Sequence, residues 1–194
     1  MSPALIRTLT LCVSVALTAC SHTSQTLRLN AVDIGTSAEL ILPARSEMQS
    51  SLDATQLISG VFDGNDYTMQ VQVEWRPGSM AVVALGVWGT AVFSLTYDGS
   101  EMQIRGNTRL LQGLKAEHVL ADLLLTVWES SQLKTNLRGN DLRVVDTPLR
   151  RTIEQEGAVL IAISYENASP WSGSVRFEHI ERGYVLEIET LQYR

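Results

Sequence analysis

Between Tyr67 and Ile104 apolar and polar residues alternate with a period of two. Tyr67, Met69, Val71, Val73 and Trp75 fall on one side of a nine-residue run, and Thr68, Gln70, Gln72 and Glu74 fall on the other. That pattern predicts a strand with one dry face and one wet face. Arg76-Pro77-Gly78-Ser79 reads as a turn, Met80 to Leu85 as a returning strand, and Gly86-Val87-Trp88-Gly89 as a tight tip. Alternation resumes at Ala91, Phe93, Leu95 and Tyr97. Asp98-Gly99 turns the chain again, and Met102 and Ile104 mark a fourth strand. An antiparallel meander with its apolar side chains on one face is expected here.

The flanking segments extend this sheet. Leu27-Arg28-Leu29 and Glu39 to Leu42 read as short strands, with Pro43 ending the second. Ser46 to Ile58 has no clear period, and a short helix is expected around Ser51-Leu52-Asp53. Ser59 to Phe62 and the turn Asp63-Gly64-Asn65-Asp66 lead into the meander as a hairpin. After Ile104 the period changes: Leu120, Leu123, Leu124, Val127 and Trp128 recur at helical spacing across Ala116 to Trp128, with Glu117 in the first turn, where the helix dipole favours a carboxylate. Further strands are predicted at 142–146, 149–155, 158–165, 174–180 and 184–191. Val159, Ile161, Ile163 and Tyr165 share one face of a central strand among them. The fold class is therefore α+β, mainly β. A curved antiparallel sheet of about ten strands should close into an incomplete half-barrel, with the helix against its concave face, plugging the mouth.

The first nineteen residues follow a different logic. Arg7 precedes a short apolar run from Leu9 to Leu17, and Leu17-Thr18-Ala19-Cys20 ends it with small residues before a cysteine. The run is too short to span a bilayer as a helix. It reads as a signal peptide over 1–19, and Leu-Thr-Ala-Cys resembles a bacterial lipobox in which Cys20 is lipidated and becomes the mature N-terminus. The other reading is an ordinary cleaved secretory signal. Residues 20–26 form a polar tether reaching roughly 25 Å at full extension, and 27–194 form a single domain. Cys12 leaves with the signal, so no disulfide can form in the mature domain. Ser21 follows the lipobox where, by resemblance to other lipoproteins, an aspartate would retain the protein in the inner membrane; the expected location is the periplasmic face of the outer membrane.

Charge excludes one class of partner. The first nineteen residues carry Arg7 alone, so 14 basic side chains remain against 21 acidic ones. That balance argues against a nucleic-acid surface. Catalytic and metal motifs are also thin. His118 and Asp122 are four apart on one helix face, which could be half of a triad, yet no serine or cysteine stands in a nucleophile-elbow context. The expectation is a structural pair, or an Asp122 satisfied by nearby backbone N–H groups, in a protein that is not an enzyme and holds no cofactor. His22, His118 and His179 lack metal-ligand spacing, and Glu187 and Glu189 read as the wet side of the last strand. What remains is apolar surface. Tyr67, Met69, Trp75, Phe93, Tyr97 and Met102, with Leu124 and Trp128 from the helix, line either a hydrophobic cavity or a filled core.

Three stretches carry a resemblance over nearly the whole mature chain: Gly86-Val87-Trp88-Gly89-Thr90, Leu120-Ala121-Asp122-Leu123-Leu124-Leu125 and Glu181-Arg182-Gly183-Tyr184. In these the chain is similar to a family of small bacterial lipoproteins encoded beside aryl-polyene biosynthesis genes. More distantly it resembles LolB, the outer-membrane lipoprotein receptor. The resemblance implies a LolA/LolB-like half-barrel with a lipid-sized cavity and no catalysis. In LolB a tight Pro-Leu-Gly tip carries a protruding leucine; here Val87 and Trp88 stand at those positions, which would make Trp88 the membrane or cargo probe. The implied partners are a lipidic cargo, either lipoprotein acyl chains or an aryl-polyene-type lipid, and a periplasmic LolA-like carrier, with the protein a monomer. A scaffolding lipoprotein with a filled core is the alternative, and a hydrolase using His118 and Asp122 a remote one.

Overall fold

A computed structural model describes residues 24–62, 65–86, 89–106 and 115–194. Strands β1 (Ser24–Arg28), β2 (Ala31–Gly35) and β3 (Ala38–Ile41) precede a 3-10 turn at Arg45–Glu47. A first meander follows: β4 (Leu52–Phe62), β5 (Asn65–Arg76), β6 (Ser79–Leu85), β7 (Ala91–Tyr97) and β8 (Glu101–Gly106). Helices α1 (Ala116–Val127) and α2 (Ser130–Asn136) and the short β9 (Leu137–Gly139) lead to a second meander. It comprises β10 (Leu142–Thr147), β11 (Arg150–Gln155), β12 (Ala158–Tyr165), β13 (Ser174–His179) and β14 (Tyr184–Tyr193).

The two meanders join edge to edge. The last strand, β14, pairs with β4, so one antiparallel sheet of eleven strands runs β1-β8-β7-β6-β5-β4-β14-β13-β12-β11-β10. A second, three-stranded sheet, β2-β3-β9, is not hydrogen-bonded into it strand to strand but shares its core through Val32, Ile34 and Leu40. The alternation in the sequence becomes alternation in burial. Met80, Val82 and Ala84 on β6, Phe93, Leu95 and Tyr97 on β7, and Val175 and Phe177 on β13 all point inward and are shielded from solvent. A twisted sheet this wide must curl, and its apolar face becomes the concave one.

Helix α1 lies against that concave face. Leu120, Ala121, Leu124 and Leu125 are wholly buried, and three side chains from the second meander hold the helix in place. The Tyr184 hydroxyl donates to Asp122 Oδ2, the Tyr165 hydroxyl to the Thr126 carbonyl at 2.8 Å, and Arg151 Nη1 to the Leu125 carbonyl at 2.7 Å. The last places a cation at the helix C-terminus, where unpaired carbonyls and the macrodipole favour it. Arg151 also forms an ion pair with Asp146 at 2.9 Å.

Several sequence expectations are corrected. No helix forms at Ser51-Leu52-Asp53: Leu52 opens the eleven-residue β4, which is paired on both sides, and the helical turn lies earlier. There Glu47 Oε2 accepts from the Ala44 N–H at 2.7 Å and closes Arg45–Glu47. Strand β2, helix α2 and strand β9 were not expected. In α2 only Leu133 is buried, so no apolar period exists to read; Gln132 Oε1 accepting from the Glu129 N–H caps the helix instead. On β12 the register shifts beside Ile153, leaving Leu160 without a partner on β11. Leu160 and Ile161 are consecutively buried, and Val159 turns out to solvent rather than sharing the face of Ile161.

Candidate functional site

Between α1 and the concave sheet lies a cavity of about 120 Å³. Its floor is built by alternate residues of adjacent strands: Ile58 on β4, Tyr67, Met69, Val71 and Val73 on β5, Val82 on β6, Phe93 on β7, and Leu186 and Ile188 on β14. Its roof is the side of α1 that presents Val119, Asp122, Leu123, Thr126 and Val127. The wall is almost entirely hydrocarbon. Among the described residues no three His, Cys, Asp or Glu side chains cluster.

The eight residues that the sequence put forward as lining divide three ways. Tyr67, Met69 and Phe93 are on the cavity wall. Tyr97, Met102 and Leu124 are fully buried core and lie off it. Register gives the reason for the first two. Leu52, Trp75, Met80, Tyr97, Met102 and Leu27 are successive cross-strand neighbours in one row at the end of the first meander. The cavity lies over the rows nearer the other end of β4 and β5. Tyr97 fills its place with a hydroxyl donating to the Leu29 carbonyl. Trp75 and Trp128 line a different, more polar groove of about 560 Å³ beside Gln49, Gln132 and Asn136. Trp75 also meets Trp171 edge-on, with ring centroids 6.0 Å apart. Cys20 and Trp88 lie outside the described residues, as does His22. The ends of the Trp88 tip are placed: Gly89 N–H donates to the Gly86 carbonyl at 2.8 Å and Gly86 N–H to the Thr90 carbonyl at 2.9 Å. Gly89 adopts φ +71°, which a side chain would resist.

Among the described residues, Asp122 is the one ionisable carboxyl in the wall, which Gln56, Thr126 and the Tyr67 and Tyr184 hydroxyls also interrupt. It does not pair with His118, nor with backbone N–H groups: Tyr184, 62 residues later, donates to its Oδ2 at 2.5 Å. Burial pushes the Asp122 carboxyl up to about 7, against the opposing pull of the Tyr184 hydrogen bond and the Arg182 charge. Tyr184 is itself raised, first by burial and then by the Asp122 charge. His118, one turn earlier, is lowered to about 4 by burial and by the Arg182 and Lys115 charges, and His179 to about 4 by burial and Arg182. The Tyr184 ring lies over His179 at 5.3 Å and Phe177 at 6.2 Å. Sequence reading singled out Asp122 and Tyr184 in separate stretches but had no signal that they meet.

Residues 53–192 match the sequence profile of a family described as a protein of unknown function (DUF3261). The chain belongs to this family. The match runs from β4 to β14 and so takes in the cavity, α1 and the Asp122–Tyr184 pair. No curated protein matches the chain. Among solved structures, the DUF3261 chain is similar to a LolA superfamily protein from Nitrosomonas europaea, with a TM-score of 0.43 and 12% identity over 75% of this chain and 86% of that one. It is also similar to a putative outer membrane lipoprotein-sorting protein domain from Vibrio parahaemolyticus (TM-score 0.39, 13% identity, 77% and 87% covered). A DUF1329 family protein from Desulfovibrio piger is comparable (TM-score 0.38, 9% identity, 77% and 87% covered). These are likenesses of general chain path.

Proposed function

We propose that this protein is an outer-membrane lipoprotein, anchored through Cys20, whose cavity binds a lipidic cargo and hands it on or inserts it without catalysis. The observation that supports this most is the cavity: an unfilled, almost wholly apolar slot between a helix and a concave sheet. An acyl or polyene chain is the ligand class such a wall accepts. At about 120 Å³ the slot is smaller than the ~300–1,000 Å³ of typical ligand sites. Loading must therefore widen it, and α1 is the element that moves, since it forms the roof. Trp88, on a tip whose flanking Gly89 and Thr90 are exposed, would act as the probe that meets membrane or cargo. Tryptophan suits that place, with an apolar ring and one N–H donor. The cargo is lipoprotein acyl chains or an aryl-polyene-type lipid, received from a periplasmic LolA-like carrier.

The small volume also favours a second reading, a scaffolding lipoprotein in which the slot is only a packing defect. One experiment separates them. Cys20→Ala protein, expected in the soluble periplasmic fraction, is purified without detergent and extracted with organic solvent. A near-stoichiometric acyl or polyene species in the extract supports cargo binding; a lipid-free extract from well-folded protein supports the scaffold. Cys20→Ala protein that still sediments with outer membranes after a high-salt wash contradicts the anchor.

A further inference from the structure

Two polar side chains of the cavity wall, Tyr67 and Asp122, each carry an atom closed off from solvent and without a hydrogen-bond partner in the protein: Oη of the first and Oδ1 of the second. Buried polar groups are normally paired, and an unpaired one in a binding cavity marks where a ligand's polar group completes the bonding. The strand register puts both at one end of the slot. Tyr67 on β5 faces Gly60 on β4, and Gly60 faces Leu186 on β14. Tyr67 and Tyr184 therefore stand near the same end, and Tyr184 holds Asp122 there. Val61, beside Gly60, lines the cavity and is 51% exposed, so this is also the end that reaches solvent. Farther in, the wall is Met69, Ile58, Val71 and Ile188.

We propose that this end of the cavity holds the carbonyl group of a long acyl chain, as carboxylic acid or ester, with Tyr67 Oη donating to it and the hydrocarbon running inward along Met69, Ile58 and Val71. The inference rests on the lipid-binding reading and adds what the bound molecule must carry. Bare hydrocarbon would leave both buried atoms unpaired. Burial keeps much of Asp122 protonated at neutral pH, its carboxyl raised to about 7, so Oδ1 can present a second donor. Asn at 122 would supply a donor in the same place while still accepting from Tyr184.

The test displaces the apolar fluorophore N-phenyl-1-naphthylamine from full-length Cys20→Ala protein with palmitic acid, methyl palmitate and hexadecane. Acid or ester should compete about tenfold more tightly than hexadecane, the worth of one buried hydrogen bond. Tyr67→Phe should shrink that gap to about twofold with hexadecane unchanged, and Asp122→Asn should keep the preference. The tighter of acid and ester identifies the source of the carbonyl. Equal competition by all three ligands, or a preference untouched by Tyr67→Phe in a protein that melts normally, overturns the carbonyl site while the lipid cavity stands. Failure of the fluorophore and every ligand to bind overturns the cavity reading itself, and this inference with it.

Discussion

Replacing Asp122 with asparagine should make the protein more stable relative to wild type as pH rises. The carboxyl ordinarily titrates at 3.8 and in the fold is pushed up to about 7 by burial. Between those values the native protein holds a proton that the unfolded chain has released, so stability falls with rising pH. The contribution is fully present below 3.8 and is lost as pH passes through 7. About three pH units at ~1.4 kcal/mol each set an upper bound of ~4 kcal/mol. Asparagine has no proton to lose and preserves an acceptor for Tyr184, so the variant escapes that loss. For a domain of this size, ~1 kcal/mol moves Tm by about 2–4 °C. The Tm difference, variant minus wild type, should therefore grow by on the order of 10 °C between pH 4 and pH 8. His118 and His179 titrate in both proteins and cancel in the difference. Circular dichroism melts at half-unit steps measure it. A difference that stays flat with pH would mean that Asp122 is ionised in the fold and that Tyr184 and Arg182 outweigh burial, which refutes the reasoning.

Arg151→Met should lower Tm by about 5–10 °C, because it removes the donor to the Leu125 carbonyl and leaves Asp146 without its ion-pair partner, with only the Ser130 hydroxyl still donating to it, in a site only partly open to water. A melt within 2 °C of wild type would show that the guanidinium does not hold α1. Gly99→Ala should destabilise by ~2 kcal/mol or more: Gly99 sits at φ +95°, and a Cβ there would come within 2.2 Å of the Arg45 backbone nitrogen, so the β7–β8 turn and the 3-10 turn must part. Urea denaturation reads the loss, and an unchanged midpoint contradicts it. Trp88→Glu should fold and anchor normally yet fail in a lipid-transfer assay, with Trp88→Leu largely active; a Trp88→Glu protein melting several degrees lower would place the ring in the core instead.

The strands and α1 were legible wherever burial on one side forced alternation or helical spacing. β5 and β6 have their apolar sets where the sequence put them, and α1 runs Ala116–Val127 against the expected Ala116 to Trp128. Elements with little to bury escaped. Helix α2 buries Leu133 alone, and β2 is only five residues long with Val32 and Ile34 inward. Cavity and core were indistinguishable in sequence, because Phe93 and Tyr97 have the same period and the same inward direction. What separates them is position along the strand: Tyr97 stands in the row of Trp75, Met80 and Met102, and Phe93 in a row nearer the other end, beside Ala84. The pairing of β14 with β4 across more than a hundred residues sets Tyr184 on the cavity wall, where it meets Asp122, and no local pattern announces that contact. The polar rim around Trp75 and Trp128 was missed for a related reason: both rings lie at the margin of the concave face, where α2 and the segment after β3 meet the sheet.

The claim that the slot is the cargo site is tested most directly by native mass spectrometry of delipidated Cys20→Ala protein with added palmitic acid, beside the same protein carrying Val119→Phe. Val119 is on the roof of the cavity, so the larger ring should fill the void, hold or raise Tm, and block loading. One acyl chain should bind per wild-type monomer and none to the variant. Equal binding to both proteins would place the ligand elsewhere, and no binding to either would leave the cavity as a packing defect in a scaffold.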